Sequence, residues 1–182
     1  MARLYRLERE QLPENEQPFF DAIGKTRGDI SGPFTALIHS ADLASRVADV
    51  GAYVRFESIL PVAVRTFAAI ITSRWLDCRY EWGAWSGQAR SAGVSDAIID
   101  AVRDRKPLPS LTEEEHIIAD FCQQLCSGNH HISDATYKAT VDHFGVKGTV
   151  ELAATVGYFA MIAMPLNAFE VDPNPEGQAL QI

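Results

Sequence analysis

Apolar positions recur three and four residues apart in nearly every segment of the chain, and the alternation expected of strands is hard to find. The pattern predicts an all-α architecture. Residues Glu8 to Ile23 read as a first helix with Phe19, Phe20 and Ile23 turned inward, closed by the turn from Gly28 to Pro33. A second stretch begins at Phe34, breaks near Ser40 and resumes through Leu43, Val47, Val50 and Val54. Pro61 suits a first helical turn, and beyond it Val64, Phe67, Ala68, Ile71 and Trp75 form one stripe.

The next segment places Cys78, Glu81, Trp82, Trp85, Ala89 and Ala92 on a single helical face and stops at Gly93, which suits a left-handed end. Ser95 caps a short helix with Ile98, Ile99 and Val102 inward, after which Pro107 and Pro109 turn the chain. Thr112 and Glu115 have the spacing of a capping box; the helix they open turns Ile118, Phe121, Cys122 and Leu125 to the core. Ser133 caps another helix, which Gly145 closes. The last helix, Val150 to Met164, is interrupted only by Glu151, Thr155 and Gly157 beside Tyr158. Its fifteen residues fall short of the roughly 20 that span a bilayer. It reads as a buried or subunit-interface helix, Pro165 is expected to kink or end it, and Val171 with Pro173 and Pro175 suggests an extended arm.

Composition narrows the function classes. At 182 residues, with no internal repeat and no linker, a single domain is expected over 1–182, with a motif-bearing core at about 34–105 and C-terminal helices at 112–170. Sixteen basic residues against 24 acidic ones give a net charge of -8, and no basic run exceeds two, which speaks against nucleic-acid binding. No apolar stretch follows a basic start, so a cytoplasmic location is expected. An odd count of three cysteines disfavours a disulfide scaffold; Cys122 and Cys126, four apart, read as small core residues. Phosphate-loop, dinucleotide, metalloprotease and CxxC motifs are all absent, and the adjacent His130 and His131 fall in a loop, so neither metal nor cofactor is expected.

The segment Cys78-Arg-Tyr-Glu-Trp-Gly-Ala-Trp85 resembles the carboxymuconolactone decarboxylase family, related to alkylhydroperoxidase D, whose members often carry Tyr-Glu-Trp-x-x-His followed by a small-residue helix and an Ala-Gly-hydroxyl turn. Tyr80-Glu81-Trp82 and Ala92-Gly93-Val94-Ser95 match it. Further likeness lies in Leu37-Ile-His-Ser40, Gly51-Ala-Tyr-Val-Arg-Phe-Glu57, Gly157-Tyr-Phe and Leu166-Asn-Ala-Phe-Glu170, so it runs over nearly the whole chain. The resemblance implies a compact helical subunit that assembles as a trimer or hexamer. It also implies a Cys-x-x-Cys-x-x-x-His array in the redox members. Here Cys78 takes the first thiol position, Glu81 the second and Trp85 that of the histidine, while Thr66 stands where an upstream Glu is common.

Two chemistries follow. A thiol peroxidase needs an activated thiolate and a resolving thiol, and Cys78 has neither nearby in sequence. A cofactor-free decarboxylase needs a pocket for an organic acid, a desolvated site and a group to handle the proton that replaces carbon dioxide. Glu81 between Trp82 and Trp85 suits that role, its proton affinity raised by desolvation, with Tyr80 and Cys78 beside it. Arg55 and Arg65 are candidate carboxylate anchors, and His39 is the imidazole candidate for the pocket. The structural alternatives are an ion pair of Glu81 with Arg55, Arg74 or Arg79, core aromatics at Trp82 and Trp85, and a scaffold that only binds a small ligand or assembles.

Overall fold

The computed structural model describes residues 2–173 and 177–182, and all of the regular structure in them is helical. The amino-terminal pattern is interrupted earlier than the spacing suggests: Glu8 and Gln11 cap each other around one 3₁₀ turn, Pro13 follows, and helix α1 runs only over Gln17–Arg27, with Pro18 in its first turn. Gly28, at φ 81°, ends it. Helix α2 (Pro33–Leu37) passes through a 3₁₀ turn into α3 (Ala41–Ala52). The backbone then widens into a π-helical stretch over Tyr53–Glu57, closed by the Ser58 amide donating to the Tyr53 carbonyl at 2.9 Å. Sequence periodicity carries no mark of that widening, since the apolar spacing continues through Val54.

Helices α4 (Val62–Trp75) and α5 (Arg79–Ser91) pair most extensively, and α4 also packs on α7 and α8, so Val64, Phe67, Ala68 and Ile71 are all withdrawn from solvent. Trp75, expected on that stripe, is 41% exposed because it lies in the last turn, beyond the neighbouring helices. Gly93, at φ 102°, turns the chain into α6 (Asp96–Asp104), whose Ser95 cap accepts from the Ile98 amide. The Thr112–Glu115 capping box opens α7 (Glu113–Cys126). The final helix, α8 (Asp134–Ala168), is broken at Gly145, where φ 68° and ψ 172° leave the helical region. Its second part runs through Pro165 to Ala168, and the Phe169 amide closes on the Pro165 carbonyl at 2.9 Å. Pro165 therefore sits within the closing turn instead of ending the helix four residues sooner. This part is longer than its apolar stretch and has much of its surface buried against α2, α4, α5 and α7.

The carboxy-terminal residues do not run out as an arm. Leu180 joins the main core, and the backbone of Gly177 lies against Gly83 of α5, so closely that a Cβ on Gly177 would come within 2.9 Å of the Gly83 carbonyl. Pro175 lies outside the described residues. The apolar interior has two main parts, one built on α4 to α8 and one on α1 to α3 with α8. Trp85 packs against both, and the site lies at that seam.

Candidate functional site

The loop before α5 delivers Cys78 in extended conformation at the helix start, and the first two turns then place Glu81, Trp82 and Trp85 toward the interior. Glu81 is 2% exposed. One turn later on the same helix, Trp85 Nε1 donates to Glu81 Oε2 at 2.8 Å, the one hydrogen bond the carboxylate takes among the described residues. Burial raises the Glu81 pKa to about 7, although the indole bond and the charges of Arg55 and Arg27 pull the other way. A carboxyl group so poised exchanges a proton near neutrality.

A second buried carboxylate shows what satisfaction does. Glu151 on α8 is 6% exposed, yet it accepts from the Tyr53 hydroxyl at 2.7 Å, the Ser58 hydroxyl at 2.7 Å and the Ile59 amide at 2.9 Å. Burial raises its pKa, but those three bonds and nearby Lys147 outweigh it and hold the group below its ordinary value. Glu151 is thus held ionised at neutral pH and ties the π-helical stretch to α8, whereas Glu81, in an apolar surround, is poised between its two protonation states.

An apolar cleft of about 250 Å³ opens beside Glu81. Val54, Phe56, Val62 and Phe159 line it with Trp85, and Arg55, Arg65, Thr66 and Gln88 complete the wall. Trp85 meets Phe159 edge to face, ring centres 4.9 Å apart, and the Arg55 guanidinium lies 5.4 Å from the Trp85 ring centre. Arg55 is half-buried and has no acidic side chain in ion-pair contact among the described residues. The π-helical stretch is what brings Val54, Arg55 and Phe56 to this cleft together, a setting in which such bulges recur.

The structure thus brings together Glu81, Trp85, Arg55, Arg65 and Thr66. Arg65 spends one guanidinium nitrogen on the carbonyls of Val54, at 3.0 Å, and Arg55, bracing the π-helical turn. The buried Thr66 hydroxyl donates to the Val62 carbonyl at 2.9 Å. Trp82 is fully buried and packs in the main core, away from the cleft wall. Tyr80 and Cys78 face the other way, with Leu76, Ala163 and Leu166, and Tyr80 lies over Gly32. His39 is bonded to the Tyr5 carbonyl at 3.0 Å and does not line the cleft. Burial pushes the Cys78 thiol up to about 12, against the backbone amides of Glu81 and Tyr80. Cys122 is fully buried and lies in the main core, apart from the small cluster that holds Cys78.

Sequence spacing did not single out Arg27 or Gly51 for the site. The Arg27 guanidinium stacks 4.3 Å from the Phe34 ring centre and donates to the Ala48 carbonyl at 3.1 Å. A Cβ at Gly51 would overlap the Tyr158 hydroxyl and come within 2.6 Å of Arg27 Nη2, so only glycine lets α3 approach them. No local pattern marks these residues, because α1, α3 and α8 meet there only in the fold.

No family model and no curated protein matches the chain. Among solved structures it is similar to an uncharacterized peroxidase-related protein with an alkylhydroperoxidase AhpD core from Ralstonia eutropha JMP134, with TM-score 0.77, 19% identity, and 96% of this chain and 93% of that one covered. A peroxidase-related protein from Silicibacter sp. TM1040 gives TM-score 0.76 and 18% identity over 97% and 93% of the two chains. The debrominase Bmp8, without ligand, gives TM-score 0.71 and 17% identity over 94% and 91%. These likenesses cover both chains almost end to end, and the fold is that of the AhpD-like helical proteins.

Proposed function

We propose that the protein is a cofactor-independent carboxy-lyase of the decarboxylase type, acting on a small cyclic or aromatic carboxylic acid or lactone, with Glu81 carrying the proton. The observation behind this reading is a buried carboxyl poised near neutrality behind the aromatic wall of an apolar cleft that also holds an unpaired guanidinium. Arg55 anchors the substrate carboxylate, and Trp85 with Phe159 receives its ring. Loss of carbon dioxide leaves an electron pair on the carbon that bore it, held by a carbonyl conjugated within the substrate. Glu81 delivers its proton to that carbon and recovers one from water, so carboxylate plus one proton gives the reduced carbon and carbon dioxide. The desolvated site favours this step because it disfavours the ionised carboxylate it consumes. Trp85 stands between Glu81 and the cleft at rest, and its indole turns aside as substrate enters.

That same wall supports a second reading. If Trp85 never uncovers Glu81, the cleft is a binding site for a small apolar ligand that is not consumed. Thiol peroxidase chemistry has little support, because Cys78 is buried, held neutral and packed in a cluster that contains no second cysteine among the described residues.

Incubation with a panel of lactones and aromatic acids, following consumption and carbon dioxide release, tests the first reading. Glu81→Gln is expected to cut turnover by roughly 100-fold or more while the protein stays folded. Unchanged turnover removes Glu81 from the chemistry, and a ligand that raises the melting temperature without being consumed supports the second reading.

A further inference from the structure

The distribution of charge around the cleft is the reverse of that on the rest of the molecule. The chain carries a net charge of -8, and of its twelve arginines eight hold an acidic side chain within 4.0 Å: Arg3, Arg6, Arg9, Arg46, Arg74, Arg90, Arg103 and Arg105. The remaining four, Arg27, Arg55, Arg65 and Arg79, hold none among the described residues; Arg79 is exposed at the start of α5, whereas the other three are part-buried, with Arg55 and Arg65 lining the cleft beside Trp85. Acidic side chains are in surplus, so three unpaired cations in one place are not a shortage of partners. The Nε atoms of Arg27 and Arg65 are moreover buried without a hydrogen-bond partner.

Arg65 and Arg55 line the cleft itself, whereas Arg27 is not part of its wall and lies against Phe34, close enough in charge to act on both Arg55 and Glu81. There Arg27 meets the Tyr158 hydroxyl at the bare face of Gly51. Tyr158 stacks edge to face on Phe159 at 5.5 Å, so the inner wall of the cleft and this polar group are parts of one assembly. Glu81 interacts with the pair through its charge, without ion-pair contact, and its one hydrogen bond among the described residues is from Trp85. A guanidinium fork beside a phenol hydroxyl, with no carboxylate in ion-pair contact among the described residues, is a receptor for a planar carboxylate.

We propose that Arg27 and Tyr158 form an inner anion subsite, continuous with Arg55 once the Trp85 indole turns from Glu81, that receives the ionised group of a small aromatic monocarboxylate while its ring remains in the cleft. This rests on the carboxy-lyase reading for its choice of ligand, and it adds the residues that select a carboxylate over a neutral ring of the same size. Gly51 is part of the device, since any side chain there would push the Arg27 and Tyr158 groups apart.

Benzoate and benzyl alcohol are the probes, titrated calorimetrically against the full chain and its variants. Benzoate is expected to bind the parent at millimolar concentration or below. Arg27→Gln should weaken benzoate by about 10-fold or more, and Tyr158→Phe by a smaller factor, while benzyl alcohol is unaffected. Arg27→Lys, which keeps the charge and loses the fork, should fall between, and Arg46→Gln on the surface should change nothing. Arg27→Gln also gives up its bond to the Ala48 carbonyl, so each variant is checked by its thermal melt; if it unfolds, Tyr158→Phe and Arg27→Lys carry the test. The subsite is overturned if benzoate does not bind the parent, if folded Arg27 and Tyr158 variants bind it as the parent does, or if benzyl alcohol weakens in parallel. Failure to decarboxylate any acid sinks the enzyme reading and leaves this binding result standing; turnover indifferent to Arg27 sinks the subsite alone.

Discussion

Trp85 and Glu81 lie one turn apart on α5, joined by a 2.8 Å hydrogen bond from the indole nitrogen to a carboxylate oxygen. The bond ties a buried carboxyl poised near neutrality to the ring that walls the cleft. It favours the ionised carboxyl, whereas burial favours the neutral one, and burial prevails. A hydrogen bond to a charged group contributes about 1.5–3 kcal/mol. That is enough to move the balance but not to reverse it.

Trp85→Phe keeps an aromatic wall and removes the donor. The protonation midpoint of Glu81 is then expected to rise by roughly one pH unit above that of the parent, if the lost bond contributes at the lower end of its range. The other titratable groups that interact electrostatically with Glu81 are Arg27 from α1, Arg55 from the π-helical stretch, Tyr158 from α8, Tyr80 on α5 and Cys78 just before it. All are retained in the variant. Carboxyl carbon chemical shifts followed against pH read the midpoint directly, and an unmoved or lowered midpoint contradicts the assigned bond.

Glu81 also imposes a pH dependence on stability. Its native pKa of about 7 lies above the ordinary 4.5, so between those values the native state holds more protons than the unfolded chain. Its contribution is therefore fully present below pH 4.5 and is lost as pH rises to about 7. The difference is on the order of 3 kcal/mol across the window. Urea unfolding of Glu81→Gln against the parent, at pH 5 and pH 8, should show the variant gaining relative to the parent at the higher pH. Parallel curves at both values would mean that Glu81 is ionised in the native protein.

Much of this architecture is legible without coordinates. Gly93, Gly145, Ser95, Ser133 and the Thr112–Glu115 pair mark helix ends because capping and left-handed φ are local demands that single residues meet. Glu81 and Trp85 are legible as neighbours because i and i+4 share a helical face. Three features are not. The π-helical widening at Tyr53–Glu57 depends on Glu151, almost a hundred residues away, accepting from Tyr53, Ser58 and Ile59. Arg27 reaches Tyr158 only because Gly51 lets α1, α3 and α8 converge. Cys78 and Tyr80 face away from Glu81 for different reasons: Cys78 precedes α5 in extended conformation, outside the helical period that would put it on the Glu81 face, and Tyr80, one residue from Glu81, is turned about 100° around the helix.

Glu151→Ala should loosen the cleft from behind. It leaves the Tyr53 and Ser58 hydroxyls and the Ile59 amide without their acceptor, and a loss of about 2–4 kcal/mol is expected. The parent draws stability from ionised Glu151 above the ordinary carboxylate range and loses it as pH falls through the lowered native value. Chemical denaturation at neutral and acid pH therefore separates parent and variant most at neutrality and least in acid. Faster hydrogen exchange confined to residues 53–59 locates the effect; a variant as stable as the parent refutes the bracing role.

The cysteines give the sharpest division between redox and proton chemistry. With its pKa near 12, Cys78 holds roughly one part in ten thousand as thiolate at pH 8, and Cys122 is raised well above its ordinary value by complete burial. Cys126 is only half-buried, and burial raises it too, partly offset by Thr72. Iodoacetamide at pH 8 should leave Cys78 and Cys122 unmodified in the native protein, label Cys126 slowly, and label all three in denaturant. Mild peroxide should produce no sulfenic acid at Cys78. Its appearance there, read by mass spectrometry, requires an environment that stabilises the thiolate, which the apolar setting with Ala163 and Leu166 does not supply.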